Sequence, residues 1–499
     1  MAVDYGARVA TEPASEPVTE SVATSTTPKR MASAFAIQVV CRVLGMLASM
    51  VSVALTARCL GPDRYGELTI AVVFIGTWAS LADLGIGTVI VRRVTTGRGE
   101  LERLVRMNSG LSLVYCVPLA ALAVGSGLLA YHDSAVRTML VVLSGQLMVM
   151  TMTARFEPVF LVTVRFFAVA FSDVASRLAT LAAVAWLIAT RADIVWFAVA
   201  QLIAPIVCLL IQGTAASRHI SLRPIFSWRQ TANLLREALP VIGVVVLATV
   251  YWRCDGVILS LVSSHSEVGV YGLACTVALN TVVVSLFFQR ATLSTATELF
   301  SCDVAAFARF MRRSVELMWF LAVPVAVIGG LLAGPLIGFF GDRAFVDRGT
   351  PALTLLCVAA ALRIVGSTLS QGLFACHQQG FLFRMSIAEL GLIVGLNIVL
   401  DGRFGAIGAG IAVMCTELSR MVIASWWLRR QCGYHTPIIF LLRLLGPTAA
   451  SAVVVLLLSD QHVLLTLTAA FAAYLAASMV VGPVTWSNLG VLRRQRVVA

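Results

Sequence analysis

Lysine is nearly missing from this chain of 499 residues. Of its 37 basic residues only Lys29 is a lysine, so every other formal positive charge belongs to an arginine. A P-loop needs a lysine that reaches the nucleotide phosphates, and a Schiff base needs a lysine amine at the reacting centre. One lysine near the start of the chain therefore excludes both kinds of site. We expect neither a nucleotide nor a nucleic acid as a partner.

Charged residues of both signs are scarce as well. They make up 12% of the chain, against 59% hydrophobic residues, and no soluble fold can hide that much apolar surface. The eleven cysteines, from Cys41 to Cys432, fall almost entirely inside apolar runs, and none shows the CxxC spacing of a metal or redox site. The composition therefore predicts a membrane protein without a disulfide framework, a metal site or a cofactor.

Apolar runs long enough to cross a bilayer core of about 30 Å recur along the chain. The sequence predicts an all-α integral membrane protein with about fourteen transmembrane helices. The predicted ends of these helices are uncertain by several residues. The predicted spans are residues 34–57, 67–91, 107–130, 138–154, 166–189, 194–213, 238–262, 270–289, 314–338, 351–375, 381–400, 406–428, 440–459 and 464–486.

The ends and loops predict the orientation. Residues 1–30 are rich in Thr, Ser, Pro, Glu and Ala, so we expect a disordered tail and no signal peptide. Arginines concentrate in this tail and in the even-numbered loops, for example at Arg92, Arg93, Arg312 and Arg313. The positive-inside rule then predicts that both termini are cytoplasmic.

A short motif occurs twice and predicts an internal duplication. Tyr65-Gly66 opens the second predicted helix and Tyr271-Gly272 opens the eighth. The six intervening helices give both halves the same direction, which predicts a pseudo-two-fold axis along the membrane normal. We expect one six-helix bundle at residues 31–237, a second at 238–430, and two additional helices with the C-terminus at 431–499. In such proteins the substrate site lies between the halves, and access alternates.

Several charges lie inside predicted spans, where each costs about 2.5 to 3.5 kcal/mol and needs a partner, a water-filled cavity or a function. Arg253 and Asp255 are two residues apart on one helix and point roughly 200° apart, so they cannot neutralise each other. Arg42 and Arg363 have no acidic residue within a turn on their own helices. Arg58 lies at the outer end of helix 1, where snorkelling is the alternative. The candidates for a substrate-binding cavity are Arg42, Arg58, Arg253, Asp255 and Arg363.

Two further pairs of charges can neutralise each other on one helix face. Asp173 and Arg177 are four residues apart, and Glu417 and Arg420 are three apart. Side chains at these spacings are neighbours on a helix surface. We interpret both pairs as structural ion pairs.

Two carboxylates are candidates for coupling transport to an ion. Asp83 lies near the cytoplasmic end of helix 2, where it could also cap or pair with a neighbour, and Glu389 could also neutralise Arg363. Without a nucleotide motif, the remaining driving forces are the membrane potential, a proton or sodium gradient, and consumption of the product on the far side. We favour a gradient.

Several arginines at membrane depth indicate an anionic ligand. A guanidinium binds phosphate oxygens in a bidentate manner, and such contacts are stronger in a low-dielectric cavity than in water. A lipid-linked pyrophosphate fits this chemistry, because its tail can stay in the bilayer while its charge lies among arginines. A hydrophobic cation would favour carboxylates and aromatic rings instead.

Three blocks of sequence resemble a known family. They are Arg42–Gly45 with Ala57–Gly66, Leu81–Gly85 and Val91–Arg93; Cys254–Leu259 with Glu267–Tyr271; and Phe404–Ala412. In this order and spacing they resemble the polysaccharide transporter family, the bacterial flippases of lipid-linked oligosaccharides. That family is part of the multidrug/oligosaccharidyl-lipid/polysaccharide exporter superfamily. The resemblance covers roughly residues 30–430.

The resemblance implies a bacterial plasma-membrane flippase with two six-helix bundles. Helices 1, 2, 7 and 8 would line a cationic cavity, and Arg42, Arg58 and Arg253 resemble the family's cavity arginines by position. The implied substrate is an oligosaccharide or polysaccharide precursor on undecaprenyl pyrophosphate, carried from the inner to the outer face. A polysaccharide polymerase or glycosyltransferases are the implied protein partners.

Two other classes remain open. A cation-coupled multidrug or small-molecule exporter of the same superfamily predicts a cavity in which carboxylates outnumber arginines. An enzyme acting on the lipid-linked sugar predicts catalytic residues gathered on sizeable outer loops. The outer loops hold only scattered charges, such as His132, Asp133 and His265, so we do not expect an enzyme.

Overall fold

A computed structural model describes residues 28–82, 85–97, 99–163, 166–218, 220–221 and 223–480. Within these ranges all long elements are α-helices and no strand occurs. The helices are α1 (Pro28–Ala82), α2 (Ile86–Thr95), α3 (Leu101–Ala130), α4 (Ser134–Ala154), α5 (Glu157–Thr163), α6 (Phe166–Ala189), α7 (Ile194–Gln201), α8 (Ile203–Ser217), α9 (Trp228–Val262), α10 (His265–Leu279), α11 (Val283–Cys302), α12 (Val304–Leu331), α13 (Ala333–Phe340), α14 (Arg343–Ala375), α15 (Gln379–Phe404), α16 (Ala406–Cys432), α17 (Ile438–Leu457) and α18 (Val463–Val480).

The all-α transmembrane prediction is confirmed. In the described residues, 13 helical segments are long and apolar enough to cross a membrane, and the first of them, Val40–Thr95, contains two predicted spans. The first span and most of the second form α1, which bends at Gly61, where the backbone adopts φ 72° and ψ 173°, and the end of the second span lies in α2. Only glycine adopts this conformation readily, and Pro62 then starts the second arm. Residues 1–27 of the expected tail lie outside the described residues. Residues 481–486, the end of the last predicted span, lie outside them as well.

The second arm of α1 crosses α10 at very short range. A Cβ atom added to Gly66 would lie 1.8 Å from the carbonyl oxygen of His265, and one added to Gly269 would lie 2.4 Å from the carbonyl oxygen of Pro62. Three residues further along both helices, a Cβ on Gly272 would lie 2.6 Å from Thr69. Small residues thus let the two backbones touch, as in other membrane helix pairs. Both copies of the Tyr-Gly motif lie at this crossing.

The two ends of the molecule are named by residues that lie there. The Gly61 end contains Gly61, the turn before α4 and the start of α10. The Glu237 end contains the end of α2 and the first turns of α9. At that end Glu237 accepts hydrogen bonds from Arg92 and from Arg93, the latter with Nε 2.8 Å from Oε2.

The buried core centres on α14, the most enclosed of the described membrane helices. One cluster of buried apolar side chains joins α14 to α1, α4 and α10, and a second joins it to α12 and α16. The two C-terminal helices pack on each other and on α12, where Tyr474 donates a hydrogen bond to the carbonyl of Phe320 at 2.9 Å. Large apolar side chains such as Leu129 and Leu457 are exposed, as expected for surfaces that face lipid.

Candidate functional site

A cavity of about 320 Å³ lies between both arms of α1, α9 and α10. We call it the central cavity. These elements correspond to the predicted helices 1, 2, 7 and 8, and α7 adds Gln201. Its polar lining includes Thr56, Tyr65, Gln201, Arg253, Asp255 and Tyr271. The volume falls at the lower end of the range for small-molecule sites.

Arg253 is the free cation of the central cavity. Its side chain is exposed, and among the described residues its guanidinium has no hydrogen bond and no ion pair. The guanidinium lies beside Gly76 of α1, where an added Cβ would be 3.8 Å from the guanidinium carbon. Arg253 lies about nine residues before the end of α9, or roughly 14 Å along the helix axis. This depth is near the middle of a bilayer core of about 30 Å.

Asp255 lines the same cavity but contacts a different group. Its Oδ2 accepts a hydrogen bond from Tyr271 Oη at 2.6 Å. In the described part of the chain no ion pair joins Asp255 to Arg253, in agreement with their separation on the helix. The cavity therefore presents an unpaired guanidinium and a carboxylate that is bonded to a phenol.

Arg42 lies in a second cavity of about 170 Å³ between α1, α6 and α11, nearer the Glu237 end. Its Nη1 is 3.4 Å from Asp173 Oδ2, and Asp173 Oδ1 is 3.0 Å from Arg177 Nε. The carboxylate of Asp173 therefore forms ion pairs with both Arg42 and Arg177. Arg290 lines this cavity as well, is exposed, and has no partner among the described residues. Arg290 directly follows the predicted span 270–289 and was therefore not among the cavity candidates of the sequence analysis.

Arg58 lies outside both cavities. Its Nε donates to the carbonyl of Gly341 at 2.9 Å, and its Nη2 donates to the carbonyl of Phe339 at 2.5 Å. These carbonyls end α13, where a positive charge is favourable. The contact joins α1 to α13 at the Gly61 end.

Arg363 is also absent from the lining of both cavities. It is buried, its Nε is 2.6 Å from Glu417 Oε1, and its guanidinium carbon lies 4.3 Å from the ring centre of Trp252. Tyr251 Oη donates to the same Glu417 oxygen at 2.9 Å. The partner of Arg363 is therefore Glu417 on α16, where the sequence analysis considered Glu389.

Glu389 pairs with Arg420 instead. Arg420 Nη2 is 2.5 Å from Glu389 Oε2, and Arg420 Nη1 is 3.5 Å from Glu417 Oε2. Together with Arg363 these residues form a network of two arginines and two glutamates that joins α14, α15 and α16. Its formal charges cancel, and Glu389 and Glu417 are almost wholly buried.

Two polar residues on α15, which the sequence analysis did not single out, are fully buried, and one of them, Asp401, lies near Asp255. Asn397 and Asp401 have no exposed surface, and Asn397 Oδ1 and both Asp401 carboxylate oxygens have no hydrogen-bond partner within the described ranges. The Asp401 and Asp255 carboxylates interact electrostatically. The i,i+4 spacing of Asn397 and Asp401 was a visible signal, but Asp401 fell one residue beyond a predicted span. Asp83 lies outside the described residues.

The fold and the sequence are similar to those of polysaccharide transporters and flippases. Lipopolysaccharide biosynthesis protein WzxC of Escherichia coli (strain K12) is 21% identical over 75% of this chain and 76% of its own length. A putative O-antigen transporter of Shigella flexneri is 20% identical over 78% of this chain and 95% of its own. The probable flippase AglR of Haloferax volcanii is 25% identical, but that match spans 37% of the relative's length and 35% of this chain.

Solved structures share the fold at lower identity. The inward closed conformation of the lipid II flippase MurJ superposes with a TM-score of 0.75 at 14% identity, covering 89% of this chain and 98% of that one. An inward-facing multidrug resistance MATE transporter of the MOP superfamily gives a TM-score of 0.66 at 15% identity, with 79% and 98% covered. The family model described as polysaccharide biosynthesis protein matches residues 32–299, more than half of the chain. These matches confirm the sequence resemblance, and the chain belongs to this polysaccharide biosynthesis family of multi-pass membrane transporters.

Proposed function

We propose that the protein is a flippase for a lipid-linked oligosaccharide or polysaccharide precursor of the undecaprenyl-pyrophosphate type. The observation that carries the proposal is the unpaired guanidinium of Arg253 at mid-membrane depth in the central cavity. Such a charge is costly unless water or a ligand solvates it, and a pyrophosphate supplies oxygens that a guanidinium binds in a bidentate manner. The names of two relatives, a lipopolysaccharide biosynthesis protein and a putative O-antigen transporter, support a saccharide cargo.

The arginines of the two cavities suggest a path for the anionic head group. Arg42 and Arg290 lie nearer the Glu237 end, which the positive-inside rule assigns to the cytoplasm, and Arg253 lies deeper. We expect the pyrophosphate to contact Arg42 and Arg290 first and Arg253 second. In this scheme the expected bundles 31–237 and 238–430 rock against each other about the site, and the two additional helices expected within 431–499 move with the second bundle. The lipid-linked saccharide is delivered to the outer face.

The driving force in this proposal is the gradient of a cation, either a proton or a sodium ion, that binds at Asp255, Asn397 and Asp401. A buried carboxylate without a hydrogen-bond partner is strongly unfavourable, and a proton or a sodium ion removes that cost. Asp255 also lines the central cavity, so the same residue can sense both the cation and the substrate. Glu389 is less suited to coupling because it is neutralised by Arg420. Asp83 stays a prediction.

One observation favours a second candidate, a cation-coupled exporter. The central cavity contains the carboxylate of Asp255 and the aromatic rings of Tyr65, Tyr271 and Trp252, which suit a hydrophobic cation. The fold likeness to MATE transporters is compatible with this function. The unpaired Arg253 in the same cavity opposes it, since a cationic drug would be repelled there. An enzymatic role has no comparable support in either cavity.

The test is translocation in a bacterial strain that lacks its own flippase, with lipid-linked saccharide followed on each face of the membrane. Wild type, Arg253→Ala, Arg253→Lys and the control Arg403→Ala are compared at equal protein levels. Arg403 is exposed, lies outside both cavities and has no partner among the described residues. We expect wild type and Arg403→Ala to restore outward delivery and Arg253→Ala to reduce it strongly. Export of a cationic dye without any movement of saccharide would favour the exporter.

A further inference from the structure

Three potential metal ligands converge at the Gly61 end, outside both cavities. They are Glu67 on α1, Asp133 before α4 and His265 at the start of α10, and each offers a ligand atom within 4.8 Å of the others. His265 Nδ1 is 3.9 Å from Glu67 Oε1, too long for a hydrogen bond between them. Asp133 Oδ1 accepts a hydrogen bond from the backbone of Ala135, which leaves its second oxygen available. All three side chains are partly exposed and can be reached from solvent.

The three residues come from both sides of the α1–α10 crossing. Glu67 follows Gly66, and the backbone carbonyl of His265 is the atom that Gly66 touches. Glu67 and Asp133 belong to the first half of the chain and His265 to the second. The ligands therefore converge because the crossing is closed, and any separation of α1 from α10 moves His265 away from the two carboxylates.

The ligand set indicates which cation fits. Two carboxylates and one imidazole suit Zn²⁺ and related transition cations, whereas Mg²⁺ and Ca²⁺ prefer oxygen ligands alone. In a tetrahedral Zn²⁺ site with bonds of about 2.1 Å, ligand atoms lie roughly 3.4 Å apart. The present spacing, within 4.8 Å, requires the ligand atoms to approach each other by up to about 1.4 Å, which the partial exposure of the side chains permits. Arg64 is a nearby cation, and its Nη1 lies 3.8 Å from Asp193 Oδ1. Its ion-pair partner is therefore an acidic residue outside the proposed ligand set.

We propose that Glu67, Asp133 and His265 bind a divalent transition cation such as Zn²⁺ and that the bound cation holds the Gly61 end closed. The second part rests on the proposed alternating access, in which α1 and α10 separate at this end. The binding itself does not depend on the identity of the transported substrate. A cation supplied on the outer side would thus favour the state that is closed to that side.

Zn²⁺ binding to the full chain in nanodiscs tests the site. Exposed Cys59 and Cys302 are alkylated in every sample to remove thiol binding, and Zn²⁺ is titrated against a chromophoric indicator. We expect His265→Ala and Glu67→Gln to weaken Zn²⁺ binding by about tenfold or more, as the loss of a ligand should, and Mg²⁺ not to compete. The control His435→Ala, an exposed histidine beyond α16, should bind as wild type does. Equal affinity in wild type and both ligand variants would overturn the proposal.

A glycine substitution tests the link to closure without touching a ligand. Gly269→Ala places a Cβ 2.4 Å from the Pro62 carbonyl and should separate α1 from α10, whereas Gly125→Ala meets no atom within 4 Å. We expect Gly269→Ala to lose about tenfold in Zn²⁺ affinity and Gly125→Ala to lose none. Unchanged affinity in Gly269→Ala, with its helical circular dichroism intact, would overturn the closure part. Because these measurements do not use transport, a negative result leaves the flippase proposal to its own test.

Discussion

Gly66 lies directly against the backbone carbonyl of His265, so close that a Cβ on Gly66 would be 1.8 Å from that oxygen. The contact joins the second arm of α1 to the first turn of α10. Both touching groups are backbone, so no flexible side chain can move aside to make room. The closed arrangement of the Gly61 end thus depends on the absence of one methyl group.

Gly66→Ala should therefore open or strain this crossing. Overpacking of this kind costs about 1 to 3 kcal/mol, and here the obstructing atom is backbone. We expect a lower midpoint of thermal unfolding in nanodiscs and reduced translocation, because the Gly61 end can no longer close. Gly125→Ala is the matched control, since its added methyl group meets no atom within 4 Å. Wild-type stability and transport in Gly66→Ala would contradict the close crossing.

Arg253→Ala should reduce transport without reducing stability. The guanidinium has no partner among the described residues, so its removal breaks no native contact. Hydrogen bonds to a charged group contribute about 1.5 to 3 kcal/mol, which corresponds to a loss in substrate affinity of roughly tenfold to a hundredfold. Translocation rates at several substrate concentrations measure the loss, with Arg403→Ala for comparison. A fall in the unfolding midpoint as large as that of a core variant would argue that Arg253 has a structural role.

The sequence was informative where one local pattern decides the outcome, and uninformative where partners come from distant helices. Span lengths were enough to predict the all-α membrane fold, but the Tyr-Gly motif, which we interpreted as a sign of internal duplication, did not indicate that the two helices that carry it cross. The two-residue spacing of Arg253 and Asp255 correctly indicated that they do not pair. The partner of Arg363, in contrast, lies 54 residues away on another helix, and nothing in the local sequence distinguishes Glu417 from Glu389.

Arg58 shows the same limit from another direction. A cation at the end of a span can snorkel, line a cavity or bind another helix, and the sequence alone did not separate these outcomes. The choice depends on the end of α13, whose carbonyls become available only once the chain has folded. Asp401 was overlooked because span ends are uncertain by a few residues, and a carboxylate just past an end looks exposed.

Arg363→Met should destabilise the protein, because it leaves Glu417 with Arg420 as its remaining ion-pair partner in a buried site. Removing one partner of a buried ion pair costs about 3 to 5 kcal/mol, whereas replacing both by apolar residues is often nearly neutral. We expect the double variant Arg363→Met/Glu417→Leu to recover part of the lost stability. Thermal unfolding of wild type, both single variants and the double variant forms the thermodynamic cycle. If Arg363→Met lowered transport while the unfolding midpoint stayed constant, Arg363 would belong to the substrate site after all.

Asp401→Asn should uncouple transport from its cation while leaving the fold intact. The substitution keeps the shape of the side chain and removes a buried charge that has no hydrogen-bond partner in the described residues, so stability should stay equal or rise. We expect the dependence of translocation on sodium concentration or on pH to flatten. Asp460→Asn, an exposed carboxylate in the turn before α18, is the control. An unaltered cation dependence in Asp401→Asn would remove Asp401 from the coupling site.

The hydrogen bonds of Glu237 to Arg92 and Arg93 should make the thermal stability of the protein depend on pH. Hydrogen bonds from Arg93 and then Arg92 lower the pKa of its carboxyl below the usual value of 4.5 in the folded protein. A group whose pKa is depressed by folding stabilises the fold fully above its unfolded pKa and loses this contribution as the pH falls toward the folded pKa. We therefore expect Glu237→Gln to lower the unfolding midpoint at pH 7, and this difference from wild type to shrink below about pH 4.5. Glu298→Gln, at an exposed residue with no ion pair among the described residues, should leave the unfolding midpoint at pH 7 close to that of wild type. If the Glu237→Gln difference were the same at pH 7 and at pH 3.5, the link between α2 and α9 would not depend on the ionised carboxylate.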